Sequence, residues 1–150
     1  GILTFIQRKD TPAPKLTPRL VDRMLKDIAG AIRSHNVERA FEYTTEDAQL
    51  FGAGRQRLEH FAVRSLRGVN TRNVEVVWRN LQVVDLGQTG LADFDLTVGE
   101  RVAGAETVYF EAHVTLQLRK VRKSGVLGLG SRQIWLITRA DSSRDIYSGW

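Results

Sequence analysis

Apolar residues recur every three or four positions from Val21 to Ile32, which is the period of one face of an α-helix. Thr17 precedes this stretch as a candidate N-cap, and Pro18 takes the first helical position, where its missing N–H has no helical partner to lose. The apolar stripe consists of Val21, Met24, Leu25, Ile28, Ala31 and Ile32. The pattern predicts an amphipathic first helix that ends near His35.

Two further helices are predicted before the pattern changes. A short one spans Val37 to Tyr43, and a longer one runs from Arg55 to Arg67, where Gly68 ends it. Between these two helices the sequence predicts a turn, or a capped helical turn, over 44–48 and a flexible break over 51–54.

Beyond Gly68 the apolar period falls from 3.6 to 2, which indicates β-strands separated by glycine-containing turns. Four long strands are predicted, about Val74 to Leu86, Gly90 to Val98, Glu106 to Val121 and Ser131 to Arg139. The fold class is therefore α+β, with three N-terminal helices packed on a curved antiparallel sheet of about four strands.

The third strand alternates almost without interruption, so one of its faces must be core. Its even-numbered residues from Val108 to Leu118 are apolar, whereas the odd-numbered residues from Tyr109 to Arg119 are mostly polar. The same inner face is predicted to hold Val74, Val76, Trp78, Ala92, Phe94, Leu96 and Val98. None of these side chains titrates, so the inner face offers no general acid or base.

The fourth strand is apolar on both faces from Ile134 to Ile137, as expected of a strand that is covered on both sides. Because the helices can cover only one face of the sheet, a second subunit or the C-terminal tail with Ile146, Tyr147 and Trp150 is the expected second cover. The sequence therefore predicts a homodimer through the outer sheet face, with Tyr109 or Trp135 in the contact.

Composition adds limits rather than a function. The chain has 150 residues, of which 42% are hydrophobic and 26% charged. This hydrophobic content is enough to fill one core, and it is too high for a disordered chain. The absence of cysteine excludes disulfides, thiolate nucleophiles and cysteine zinc sites. The formal net charge of +5 is spread along the chain and is typical of a solvated surface, so nucleic acid is not the expected partner.

The N-terminal stretch allows two interpretations. An apolar group over 2–6 runs into Arg8 and Lys9, and a proline-stiffened segment from Thr11 to Lys15 follows. This order is typical of the end of a membrane anchor or signal, in which case the full gene would encode a long apolar stretch upstream. The alternative is an ordinary terminus. We therefore divide the chain into a linker or anchor remnant, 1–16, and a single domain, 17–150, whose localisation stays open between membrane-anchored or exported and cytoplasmic.

Three helices of which the second is short, followed by long strands ending in Arg132-Gln-Ile-Trp-Leu-Ile-Thr138, resemble the nuclear transport factor two-like superfamily with its cystatin-like fold. The resemblance covers about Pro18 to Arg139. It implies a strongly bent, cone-like sheet with the helices in its concave face, a conical pocket between them, and an outer face that often forms dimers. Because members range from isomerases and cyclases to proteins without chemistry, it implies no particular activity.

The candidate ligand-binding residues are those placed around such a pocket, namely Tyr43 at its mouth and Trp78, Phe94 and Phe110 on its wall. Tyr43 has an alternative role as an anchor of the second helix. The predicted function is a non-catalytic domain that binds an apolar small molecule or a protein partner, and that is tethered to a membrane if the N-terminal stretch is an anchor remnant. The alternative is a small isomerase, cyclase or hydrolase that uses the same pocket. The sequence predicts no catalytic residue, no cofactor and no metal site.

Two further groups of residues are charged. Asp93 and Asp95 share one face of a strand, as do Glu111 and His113, and the alternation places both pairs on the outer face. They are either solvated or take part in cross-strand or dimer contacts. The run from Arg119 to Lys123 forms a basic knob beside the glycine-rich connection 125–130. The knob is either a solvated hairpin tip or a site for an acidic surface or lipid headgroups.

Overall fold

The computed structural model describes residues 10–124 and 130–145. Its helices are α1 (Pro18–Arg33), α2 (Val37–Phe41) and α3 (Arg55–Leu66), and a short 3-10 turn, Thr71–Asn73, leads into the main part of the sheet. The strands are β1 (Asp10–Thr11), β2 (Thr44–Leu50), β3 (Ala53–Gly54), β4 (Val74–Asp85), β5 (Thr89–Val102), β6 (Ala105–Ser124) and β7 (Ser131–Ser142). The α+β class is confirmed, and the three predicted helices lie within one or two residues of their expected bounds.

Helix α1 begins where the sequence predicts. The Thr17 hydroxyl accepts a hydrogen bond from the Leu20 N–H at 3.2 Å, which satisfies one of the unpaired donors of the first turn. Val21 and Met24 on its apolar stripe are buried against the sheet. The helix therefore covers one face of the strands, as its period requires.

Among the described residues the sheet has seven strands rather than four, and it is mixed rather than antiparallel. Six strands follow the order β3-β2-β7-β6-β5-β4, and β1 pairs with the start of β7. The neighbours from β4 to β7 are antiparallel, whereas β1 and β2 run parallel to β7. The predicted turn over 44–48 is strand β2, and the predicted break over 51–54 contains β3. The sequence of β2 is largely polar and β3 has only two residues, so neither shows a strand pattern of its own. Strand β2 forms by pairing with β7, and β3 by pairing with β2.

The predicted inner and outer faces are confirmed along the central parts of β5 and β6. The prediction is wrong at Val108, which is 47% exposed, because the extra residue Tyr109 shifts the register of β6 there. Val114, Leu116 and Leu118 of β6 are buried, while the residues between them are exposed. The inner face joins α1 in a single core that includes Leu16, Val21, Met24, Ala92, Phe94, Val114, Leu116, Leu118, Trp135 and Ile137.

β-Bulges shift the alternation within β4, β6 and β7, and the extra residue in β6 is Tyr109. In β4, Asn80 and Leu81 together lie opposite Phe94, and Asn80 has a left-handed backbone with φ of 57°. Trp78 before the bulge and Leu81 after it consequently contact the same core. In β7 the register shifts at Thr138, so that Ile137 and Ala140 both join the core.

Strand β7 is buried on both faces within one chain. Trp135 and Ile137 lie in the helix-side core, so Trp135 is not the outer-face contact that the sequence predicts. Leu136 points the opposite way and is also buried. Arg119 of β6 is the direct neighbour of Leu136, and its side chain extends across β7 toward β2. There its Nη2 lies 3.8 Å from Asp47 Oδ1, which places the arginine stem over Leu136. The C-terminal residues 146–150, expected as the cover, lie outside the described part of the chain.

Candidate functional site

Tyr43, the predicted residue at a pocket mouth, is half-buried between α2 and β2. Its hydroxyl donates a hydrogen bond to Asp27 Oδ2 of α1 at 2.5 Å. Burial, and then the bond to Asp27, raise the pKa of Tyr43 to about 12. The phenol is therefore held protonated and joined to α1, which supports the anchoring role.

Trp78 occupies the wall predicted for it, but its polar edge is already bound. The indole Nε1 donates to Asp22 Oδ1 at 2.8 Å, and Lys26 lies 2.9 Å from the other oxygen of the same carboxylate. The bonds from Lys26 and then Trp78 lower the pKa of Asp22. Asp22 stays ionised as the link between α1 and β4.

The two phenylalanines lie in different environments. Phe94 is only 3% exposed at the centre of the core, where α1 and the sheet pack together. Phe110 is half-buried, further toward the β5–β6 turn, opposite Val98. The inner face is thus filled around Phe94, and the conical pocket that the resemblance implies is closed there. Ligand binding by Tyr43, Trp78, Phe94 and Phe110 stays a prediction.

Two surface clefts lie elsewhere, and both are smaller than the 300–1,000 Å³ or so that is typical of small-molecule sites. One, of about 270 Å³, lies between α1 and α2 and is lined by Lys26, Asp27, Gly30, Ala31, Ser34, Asn36 and Arg39. The other, of about 240 Å³, lies on the sheet and is lined by Thr89, Gly90, Leu91, Gln117, Leu118, Arg119 and Thr138.

The outer face of the sheet carries an ordered polar cluster around His113. The imidazole Nδ1 lies 2.9 Å from Asp95 Oδ1, directly across the strand pair, and Nε2 lies 3.4 Å from Asp93 Oδ1. Asn80, at the β4 bulge, donates from Nδ2 to the second oxygen of Asp95 at 2.8 Å. The bond from Asn80 and then that from His113 lower the pKa of Asp95. We call Asn80, Asp93, Asp95 and His113 the His113 cluster.

The His113 cluster confirms the outward assignment of Asp93, Asp95 and His113, whose side chains are 38%, 54% and 47% exposed. Sequence reasoning missed Asn80, although the polar pair Arg79-Asn80 interrupts the apolar alternation and marks the bulge. Within 10–124 and 130–145 no three His, Asp or Glu side chains are arranged to hold a metal ion. The cluster therefore consists of side chains that bind one another.

Apolar side chains flank the cluster on the same face. Val77 is 38% exposed, and Val84 is 50% exposed directly opposite Leu91, itself 38% exposed. Each is on an outward position of β4 or β5. The outer face thus combines exposed apolar side chains with fixed polar ones.

No protein-family model matches the sequence, and no curated protein matches it. In the part of the chain that the structure describes, no helix is both long enough and apolar enough to span a membrane.

Solved structures do match. An NTF2-like protein with a cystatin-like fold from Novosphingobium aromaticivorans is 16% identical, with a TM-score of 0.62 over 83% of this chain and 82% of that one. A putative calcium/calmodulin dependent protein kinase II association domain from Xanthomonas campestris is 17% identical, with a TM-score of 0.62 over 91% and 94%. A protein from Catenulispora acidiphila in complex with S-DNPA is 18% identical, with a TM-score of 0.54 over 81% and 88%. The chain has the cystatin-like fold of nuclear transport factor two-like proteins, as the resemblance implied.

Proposed function

We propose that this cystatin-like chain is a non-catalytic association domain, whose outer sheet face binds a second copy of the same chain. One observation carries the proposal: exposed Val77, Val84 and Leu91 lie on the same face as the His113 cluster, whereas the helix side is filled around Phe94. Strands that expose several large apolar side chains on one face are typical of interfaces.

The His113 cluster supports the same role. Its side chains already bind one another, so they would lose little conformational freedom when a partner covers them. Their hydrogen-bonding capacity would also be largely satisfied in a buried interface. The bonds within the cluster are sufficient to explain why its side chains are held in place, without a bound substrate.

A second copy is the favoured partner because the face carries both signs of charge. Arg79 on β4 lies beside Asp93 and Asp95 on β5, and all three point outward. In a twofold contact each arginine of one copy would meet the carboxylates of the other, and every pair would form twice. The structural neighbour from Xanthomonas campestris is itself a putative association domain, which supports this choice.

Small-molecule binding is the second candidate, and the cleft between α1 and α2 favours it. Lys26, Asp27 and Arg39 line this cleft, next to the hydroxyl of Tyr43. A small isomerase, cyclase or hydrolase would need an acid or base free to reach its substrate. Tyr43 is bound to Asp27 and its pKa is raised to about 12, so it suits recognition rather than proton transfer.

Light scattering during gel filtration tests the association. We expect a mass of about twice 16.9 kDa for the chain, and a shift to the monomer mass for a Val77→Asp/Arg79→Glu variant. Val63→Asp places the same carboxylate on an exposed position of α3, away from the sheet, and should leave the mass unchanged. A wild-type mass near 16.9 kDa, or dissociation of both variants, would overturn the proposal.

A further inference from the structure

Four segments of the chain meet at one end of the sheet. They are the N-terminal segment 10–16, the β4–β5 turn 85–89, the end of β6 over 119–124 and the start of β7 over 130–135. The Lys120 N–H donates to the Gln88 carbonyl at 3.0 Å, and the Leu16 N–H donates to Asp85 Oδ2 at 2.9 Å. Strand β1 pairs with the first two residues of β7. We call these four segments together the basic end.

The basic end concentrates positive charge. It contains six cationic residues, namely Lys15, Arg119, Lys120, Arg122, Lys123 and Arg132, and two acidic ones, Asp10 and Asp85. This excess of four charges compares with a formal net charge of +5 for the whole chain. The fold brings Lys15 and Arg132 to the same end of the sheet as the basic run 119–123, while Asp47 of β2, 3.8 Å from Arg119, offsets part of this charge.

Two of these cations lower the stability of the domain. Lys123 lies directly opposite Arg132 in the β6–β7 ladder, and like charges in that position destabilise a strand pair. The Asp85 carboxylate accepts the N–H groups of Leu16 and Gly87, and the cations that act on it are Lys120 and Lys15 rather than this pair. An anionic partner would relieve the repulsion between Lys123 and Arg132.

An exposed leucine lies at the same end. Leu86 is 59% exposed at the β4–β5 turn, and its N–H donates to the Thr89 carbonyl at 2.9 Å, which closes the turn. The turn is held against β6 by the bond between Lys120 and Gln88. The turn next to Arg119 and Lys120 therefore presents an apolar side chain at this end of the sheet. Strand β1 also starts at this end, and in the sequence it follows the apolar group over 2–6.

We propose that the basic end binds the surface of an anionic lipid bilayer. Phosphate and carboxylate headgroups would meet Lys120, Lys123 and Arg132, while Leu86 would enter the boundary between headgroups and acyl chains. Nucleic acid would also attract the cations, but it offers an exposed leucine no apolar layer. The inference uses the end of the sheet rather than its outer face, so it stands independently of self-association.

Vesicle co-sedimentation of the full chain tests the inference, with phosphatidylcholine vesicles that contain or lack phosphatidylserine. We expect binding only to the anionic vesicles. A Lys123→Glu/Arg132→Glu variant should bind at least about 25-fold more weakly, since each basic residue near an anionic surface contributes about fivefold. Arg57→Glu/Arg64→Glu makes the same charge change on exposed positions of α3 and should lose much less.

Leu86→Ser, compared with Val63→Ser on α3, separates a bilayer from other polyanions. Leu86→Ser should weaken vesicle binding and leave any binding to a duplex DNA probe unchanged. Equal binding to both kinds of vesicle, equal losses in the two charge-reversal variants, or full vesicle affinity in Leu86→Ser would overturn the inference. Circular dichroism of each variant confirms that it is folded before it is compared.

Discussion

The indole nitrogen of Trp135 donates a hydrogen bond to the carbonyl oxygen of Pro14 at 2.8 Å, across 121 residues of chain. Proline has no N–H, but its carbonyl still needs a partner when it is covered. This bond holds the segment before α1 against β7, and Lys120 lies 5.3 Å from the centre of the same indole ring. Residues 10–16 belong to the segment predicted to be a linker or anchor remnant, and they are held against the domain at Pro14 and at the buried Leu16.

Trp135→Phe should destabilise the chain by about 1–2 kcal/mol, because it leaves the Pro14 carbonyl without its donor while keeping an aromatic ring in the core. Urea unfolding measures the change. Trp78→Phe is the matched control, since it removes an indole bond to Asp22, which retains Lys26 and water as partners. If the two variants lose equal free energy of unfolding, the bond to Pro14 stabilises the chain no more than the bond to Asp22 does.

Gly90→Ala should cost about 1–3 kcal/mol through overpacking. A Cβ atom at Gly90 would lie 2.3 Å from Leu16 Cδ2, a side chain that is itself buried. Leu16→Ala should therefore partly offset the loss in the double variant, which a double-mutant cycle measures. At Gly99 the new Cβ of an alanine would lie 2.6 Å from the Thr107 backbone oxygen, so no second side-chain substitution can relieve that clash. Additive losses at Gly90 and Leu16 would contradict the predicted clash.

Phe94→Ala should cost about 3–5 kcal/mol, because it leaves a cavity in the centre of the core. Phe110→Ala should lower the free energy of unfolding by only about 1–2 kcal/mol, since the ring is half-buried and its removal takes less buried apolar area from the folded state. The sequence pattern alone predicts the same large loss at both positions. Chemical denaturation of the two variants separates these expectations, and equal losses would place Phe110 in the core.

Asp85→Asn should alter the acid stability of the domain. The N–H groups of Gly87 and Leu16 hold the pKa of Asp85 below its ordinary value of 3.8. Because the folded state then binds fewer protons, the carboxylate stabilises the chain above pH 3.8, and this contribution is lost as the pH falls through the lower folded pKa.

Melting temperatures measured from neutral to acid pH test this. Wild type should be more stable than Asp85→Asn at neutral pH, and the difference should shrink below about pH 4. Glu46→Gln removes one charge from an exposed position and corrects for general charge effects. A difference that stays constant with pH would argue against the two N–H bonds.

Much of the fold was predictable because its elements repeat. The period of α1 and the alternation of β6 from Phe110 to Leu118 each reflect one buried face, and both can be predicted from single segments. At Val108 the alternation fails, because the extra residue Tyr109 depends on the pairing with β5. Strand β2 cannot be predicted in this way, because Thr44-Thr-Glu-Asp-Ala-Gln-Leu50 has little apolar character of its own. It forms a strand by pairing with β7, which lies about ninety residues further along, and no local pattern records that neighbour.

The candidate site was predictable in part for a related reason. The alternation places Asp95 and His113 on the outer face, each within its own strand. Their contact depends on the register of β5 against β6, which brings these two residues directly opposite one another. Asn80 completes the cluster only because a bulge turns it toward Asp95, and a bulge is a property of two strands together.

The bulge at Asn80 also bears on how the chain avoids its own aggregation. Strand β4 ends the strand order, so its outer backbone edge could template another strand. The extra residue there and the left-handed backbone of Asn80 break the straight row of donors and acceptors near its midpoint. An incoming chain would find two short stretches instead of one continuous strand, so copies can meet face to face without growing edge to edge into fibrils.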